Sequence, residues 1–166
     1  MRASRRATAV LMANKAWDQA HTVALFHSIS SEVSTEMLIQ SALRTGRRVA
    51  LPVTPPLGQP LEFRLVTPST PLVRAHFGAL EPGPTATRVD YDAIALVVTA
   101  GLGFDRRGGR LGYGGGYYDR TQQLTGPGVL LAFACQQVDR IPEEAHDIRV
   151  RGIVTESGWL TPLSSN

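Results

Sequence analysis

The sequence predicts an α/β fold, a three-layer αβα arrangement with a largely parallel central sheet, on three observations. Short apolar segments rich in Val, Ile and Leu alternate with stretches of helical character. A strand–helix–strand unit near the start has the form of a parallel crossover. The most convincing central strand, residues 93–98, runs directly into a glycine-rich segment with a helix after it. At 166 residues the chain is expected to form a single domain, 1–166, with a real core.

In chain order, residues 4–13 read as a helix ending near Asn14, and residues 22–27 (TVALFH) as a buried strand. Ser34 is the expected N-cap of a helix to Arg44, with Met37, Leu38 and Leu43 on its apolar stripe and Gly46 at its stop. Residues 48–53 read as a second strand, halted by Pro52, Pro55 and Pro56. The stretch 54–88 is rich in proline, glycine and threonine; residues 61–66 form an edge strand or hairpin arm there, and the rest is loop. A helix is expected to begin at Gly115 or Gly116 and run to about Leu124. Residues 129–134 and 153–155 complete the strands, and no internal repeat or second domain is visible.

Hydrophobic residues make up 43% of the chain and charged ones 19%, a globular balance. The apolar stretches 93–98 and 129–135 are far shorter than the ~20 residues of a membrane helix. Residues 1–10 lack the apolar block and cleavage site of a secretory leader. A cytoplasmic protein with no membrane partner is expected. Cys135, the single cysteine, excludes an internal disulfide and a multi-cysteine zinc site, and in GVLLAFAC it reads as a small core residue. The formal charge is +3, and among the basic residues only Lys15 is a lysine. Arg106, Arg107, Arg110 and Arg120 crowd around the glycine-rich segment. A nucleic-acid surface would show a broader basic stripe, so a local site for a small anionic ligand is expected and no nucleic-acid partner.

From Ala93 the chain reads AIALVVTAGLGFDRRGGRLGYGGGYYDR. Glycines let main-chain N–H groups approach a ligand, successive N–H groups form an anion-binding nest, and a following helix N-terminus adds partial positive charge. Arg110 and its neighbours complete neutralisation of a polyphosphate, and Asp119, one turn into the helix, suits Mg²⁺ in kind. No GxxxxGK[ST] or GxGxxG pattern is present. The competing reading of the glycines alone is a tight turn joining a strand to a helix. Asp119 then pairs with Arg110 or Arg120, Glu32 is a solvated turn residue and Asp147 caps local structure after His146. One of Tyr117 and Tyr118 is expected in the core, since adjacent helix positions point different ways. His21, His76 and His146 show no metal-ligand spacing, and Trp17 and Trp159 read as packing residues.

The segment FDRRGGRLGYGGGYYDR resembles the signature of the 5-formyltetrahydrofolate cyclo-ligases. WDQAHTVALFHSISSE with VSTEMLI, GRRVALPV, and CQQVDRIPEEAHDIRVRGIVTE are similar to further family segments in the same order, over roughly residues 17–156. The resemblance implies ATP- and Mg²⁺-dependent conversion of 5-formyltetrahydrofolate to 5,10-methenyltetrahydrofolate with release of ADP and phosphate, in folate one-carbon metabolism. It implies ATP contacts from Arg110, Leu111, Gly112, Tyr113, Gly114, Gly115, Gly116, Tyr117 and Tyr118. Folate contacts are implied for His27, Glu32, Tyr113, Gly114, Gly115, Gly116 and Tyr117, and magnesium ligation for Asp119 and Asp147. No general base is assigned, the partners are the two small substrates, and a monomer is expected. His27 stands where a more apolar residue is expected, and Gly115 where other members carry lysine. The family's K-x-x-x-R-like element on an N-terminal helix, which contacts ATP phosphates, has no aligned counterpart in the sixteen residues before Trp17. Either the start is lost or misassigned, or Arg2 and Arg6, at i, i+4 spacing, substitute, or ATP binding is weakened. The alternative function is a catalytically weakened folate- or nucleotide-binding member. A phosphosugar isomerase on a similar scaffold would need an acid–base pair near the loop, and the sequence shows no convincing one.

Overall fold

The structure, a computed structural model, describes residues 2–75 and 78–163; His76 lies outside the described residues. The chain opens with α1 (Arg2–Met12) and the single turn α2 (Lys15–Asp18), then runs through β1 (Thr22–Ala24), α3 (Glu36–Arg44), β2 (Arg48–Val53) and β3 (Glu62–Val66). A small hairpin of β4 (Leu72–Arg74) and β5 (Leu80–Pro82) precedes β6 (Arg88–Val89) and β7 (Leu96–Thr99). The hairpin β8 (Gly103–Phe104) and β9 (Arg110–Leu111) leads to α4 (Tyr117–Thr125), β10 (Val129–Leu131), β11 (Gly152–Thr155) and β12 (Gly158–Leu160).

The main sheet has eight strands in the order β12-β11-β10-β7-β1-β2-β3-β6. The run from β11 to β2 is parallel, and β3, β6 and β12 add antiparallel margins. Alternation along the strands divides the core. Val23, Val49, Leu51, Leu96, Val98, Val129, Leu131 and Val154 face α1 and α3, to which Ala7, Leu11, Leu38 and Ala42 contribute. On the opposite face Ala24, Ala50 and Val97 pack with Tyr117 and Tyr118 of α4, and Leu130 and Ile153 join Phe104 and Val150. The predicted three-layer αβα architecture is therefore present. No helix of the described residues is long and apolar enough to cross a membrane.

Several local expectations change. The first strand ends its ladder at Ala24, and the Phe26 carbonyl instead accepts from Thr35 Oγ1 at 2.6 Å. That same hydroxyl accepts from Ser28 N–H at 3.2 Å, so Thr35, which takes the N-cap position in place of Ser34, gives α3 no side-chain cap. Pro52 lies within β2 rather than halting it: the β1 ladder has ended at Ala50, and Pro52 pairs only with Phe63 on the other side. The stretch expected as loop contains β4, β5 and β6, and β6 rather than β3 is the sheet margin. Trp159 belongs to an unanticipated strand, β12, and its ring lies where a side chain at Gly152 would stand. Cys135 is exposed, because the strand before it stops at Leu131 and the chain turns outward.

The connections set the position of the site. From β1 the chain moves to β2 on one side, whereas β7, β10 and β11 proceed to the other. The carboxyl ends of β1 and β7 thus flank a topological switch point, where open α/β sheets leave a crevice for ligands.

Candidate active site

A cavity of about 610 Å³ opens at that switch point. His27 and Glu32 reach it from the loop after β1. Arg110 and Leu111 come from β9, followed by Gly112, Tyr113, Gly114, Gly115 and Gly116; Tyr117, Tyr118 and Asp119 form the first turn of α4, and Asp147 sits on the loop before β11. The residues for which ATP, folate and magnesium contacts were implied therefore line one space, whereas Arg106, Arg107 and Arg120 do not border it. Arg2 and Arg6 are exposed on α1 and do not line it.

Arg110 is nearly buried, with 4% of its side chain exposed. Its Nη2 donates to Asp119 Oδ2 at 3.0 Å, and its guanidinium lies over the Tyr118 ring, 5.3 Å from the centroid. Its Nε is sealed from solvent without a partner. Arg120 ties the loop down: Nη2 donates to the Gly115 carbonyl, Nε donates to the Gln59 carbonyl at 3.2 Å, and the guanidinium covers the Tyr117 ring. Tyr117 donates in turn to the Pro55 carbonyl at 3.2 Å. Gly116 caps α4 in the left-handed region at φ 62°, where a Cβ would meet Arg120 Nη1 at 2.8 Å.

Behind this loop Asp105, fully buried, accepts from the backbone N–H groups of Arg107, Gly109 and Ile141 and from the Arg107 guanidinium. Burial alone would raise its pKa; the Ile141 N–H, Arg107 and the Gly109 N–H outweigh it and hold the carboxyl below the ordinary range. Asp105 thereby joins the β8–β9 turn to the loop that begins at Ile141.

Glu32 sits in a tight turn that contains Ser30 at φ 45°. Its Oε2 accepts from Ile29 N–H at 2.8 Å and its Oε1 from the Tyr113 hydroxyl at 3.4 Å. Burial raises its pKa against the lowering effect of those two donors, and burial together with the Glu32 charge raises that of Tyr113. Tyr118 is pushed further up by burial and by Glu32. Both Tyr117 and Tyr118 contact the core on one side and the cavity on the other. His27 Nδ1 is buried without a partner.

Asp147 Oδ2 accepts from Glu144 N–H at 2.8 Å, the local cap read from sequence, yet the side chain still borders the cavity. Asp119 Oδ1 has only a 3.3 Å contact with Ile148 N–H, so the two carboxylates flank one peptide segment. Among the described residues no group of three His, Cys, Asp or Glu side chains gathers to hold a metal alone. Two carboxylates completed by phosphate oxygens and water are the donor chemistry that Mg²⁺ prefers, and this pair fits it.

Sequence reasoning missed Thr54, Glu81, Ile141, Glu144 and the cavity position of His146. Thr54 and Glu81 carry no local signal, because they meet across 27 residues. His146 stands 3.6 Å from a Glu144 oxygen and 3.7 Å from an Asp147 oxygen.

Comparison with known proteins identifies the family. Residues 1–156 match the model of the 5-formyltetrahydrofolate cyclo-ligase family. A 5-formyltetrahydrofolate cyclo-ligase of Haemophilus influenzae is 38% identical over 136 residues, 78% of this chain and 73% of the relative. One of Escherichia coli K12 is 39% identical over 145 residues, 83% and 79% of the two chains. The NMR structure of Aquifex aeolicus 5,10-methenyltetrahydrofolate synthetase superposes with a TM-score of 0.84 at 29% identity, over 99% of this chain and 84% of that one. With its glycine–arginine loop, acidic pair and Glu32 turn around one switch-point cavity, the chain belongs to the 5-formyltetrahydrofolate cyclo-ligase family and is a ligase of that class.

Proposed function

We propose that the cavity converts 5-formyltetrahydrofolate and ATP into 5,10-methenyltetrahydrofolate, ADP and phosphate, with Mg²⁺. The observation that carries this reading is the convergence of His27, Glu32, the 110–119 segment and Asp147 on one cavity of about 610 Å³, within the size range of small-molecule sites.

A formyl oxygen is a poor leaving group. The γ-phosphoryl group of ATP is transferred to it, with the bond to ADP breaking as the new P–O bond forms. Folate N10 then attacks the activated carbon, the ring closes, and the oxygen departs with phosphate. Phosphoryl transfer needs positioning and charge neutralisation more than covalent help from the protein. Arg110 supplies both: its guanidinium lines the cavity and is held in place by Asp119 and the Ala100 carbonyl. The backbone N–H groups between Gly112 and Gly116 form the phosphate nest, with the α4 N-terminus behind them. Asp119 and Asp147 would hold Mg²⁺, which when bound neutralises charge on the phosphate oxygens. Glu32 and Tyr113 border the folate, and Tyr117, held under Arg120, lines the wall beside it. Oxygen-18 in the formyl group tests the mechanism: transfer of the label to released phosphate supports it, and retention of the label in the folate product overturns it.

A further inference from the structure

Glu81 lies in the cavity wall and takes no part in the chemistry above. It belongs to β5 and is 9% exposed. Its Oε1 accepts from Thr54 twice, from N–H at 3.2 Å and from the hydroxyl at 2.6 Å. A carboxylate offers about four lone-pair positions. The two on Oε1 are filled, whereas no donor among the described residues reaches Oε2. Pro52, Leu61 and Leu80 beside it on the cavity wall carry no side-chain donors. Oε2 therefore stays open to a donor from a ligand in the cavity.

Its position says which part of the ligand that is. Thr54 follows β2, on the far side of β1 from β7, whereas Arg110 and Asp119 belong to the segment after β7. Glu81 thus meets the cavity from the β2 side and Arg110 from the β7 side. In a reduced pterin the 2-amino and N3–H groups stand at the opposite end of the bicycle from N5, the position that carries the formyl group.

We infer that Glu81 is a specificity-determining residue whose Oε2 accepts from the 2-amino/N3–H edge of the pterin, with Thr54 fixing the carboxylate. This rests on the folate reading above. Adenine also carries an amino donor, and the test separates the two sources. Calorimetry on wild type and Glu81→Gln uses 5-formyltetrahydrofolate, its 2-desamino-2-methyl analogue, and MgADP. Glutamine keeps an acceptor for Thr54 and turns a donor toward the ligand. The expected result is a folate affinity weaker by about tenfold to a hundredfold, an unchanged MgADP affinity, and loss of the wild-type preference for folate over its analogue. An unchanged folate affinity overturns the inference. So does an equal loss for folate and analogue, which marks a structural role, or a loss confined to MgADP, which assigns the carboxylate to adenine. Wild type that binds neither folate compound instead overturns the functional reading on which the inference rests. Should Glu81→Gln fail to fold, Glu81→Asp, which keeps the charge but withdraws it by one methylene, is judged by the same outcomes.

Discussion

Arg110 Nη2 donates to Asp119 Oδ2 at 3.0 Å while Arg110 Nε, sealed from solvent, has no acceptor. The ion pair fixes a nearly buried guanidinium in the cavity wall. Lysine at this position keeps one charge but cannot span Asp119, the Ala100 carbonyl and the Tyr118 face together. Arg110→Lys is expected to lower kcat/KM for ATP about a hundredfold with an unchanged circular dichroism spectrum. Steady-state kinetics on the folded variant checks this.

Asp119 and Asp147 divide the acidic side of the cavity. Asp119→Asn is expected to lose Mn²⁺ binding in the presence of ADP, read by electron paramagnetic resonance, while folate affinity measured by calorimetry stays within about twofold. If Asp119 serves only as the partner of Arg110, metal binding survives and the assignment fails.

Gly116 enters α4 at φ 62°, and a Cβ there would meet Arg120 Nη1 at 2.8 Å. Gly116→Ala combines left-handed strain with displacement of the side chain that holds Gly115 and Gln59. A loss of about 1–2 kcal/mol is expected, or about 3–6 °C in Tm for a domain of this size. Differential scanning calorimetry gives the value, and an unchanged Tm would show that the loop does not need this conformation.

Asp105 carries a pH signature. Its folded pKa lies below the ordinary 3.8, so its contribution is fully present above about pH 4 and is lost as pH falls through the folded value. Glu143, held down chiefly by its hydrogen bond from Arg149, adds in the same direction from its ordinary 4.5. Asp105→Asn is expected to cost about 3 kcal/mol at neutral pH, since buried donors lose a charged acceptor, and to flatten the stability profile below pH 4. Urea unfolding at pH 3 and pH 7 checks the sign.

Cys135, exposed on a short 3₁₀ turn, is expected to react with a chromogenic disulfide reagent in the native protein at close to the rate of an unfolded peptide. Protection until denaturant is added would restore the core reading made from sequence.

Legibility followed the range of the interactions. The loop from Arg110 to Asp119 was readable because its glycines, cations and carboxylate are contiguous, and four of the five parallel strands because four to six apolar residues mark each one, β11 having only Ile153 and Val154. The β4–β5 hairpin was not, since its strands have three residues and β4 buries none of them fully. Asp105 looked like one more charge in FDRR; its role comes from Ile141, 36 residues away. Ser34 was the cap read from sequence; Thr35 takes that position instead, and Phe26, nine residues back, claims its hydroxyl. Glu81 was invisible for the same reason, having no meaning without Thr54 opposite it.

Turnover is the most direct test of the central claim. The near-ultraviolet absorbance of methenyltetrahydrofolate is followed after the protein is mixed with 5-formyltetrahydrofolate, Mg²⁺ and ATP. The expected result is a rise that requires ATP, releases one ADP per product formed, and falls sharply in Arg110→Lys. No rise from folded protein that still binds both ligands, or a rise independent of ATP, would contradict it.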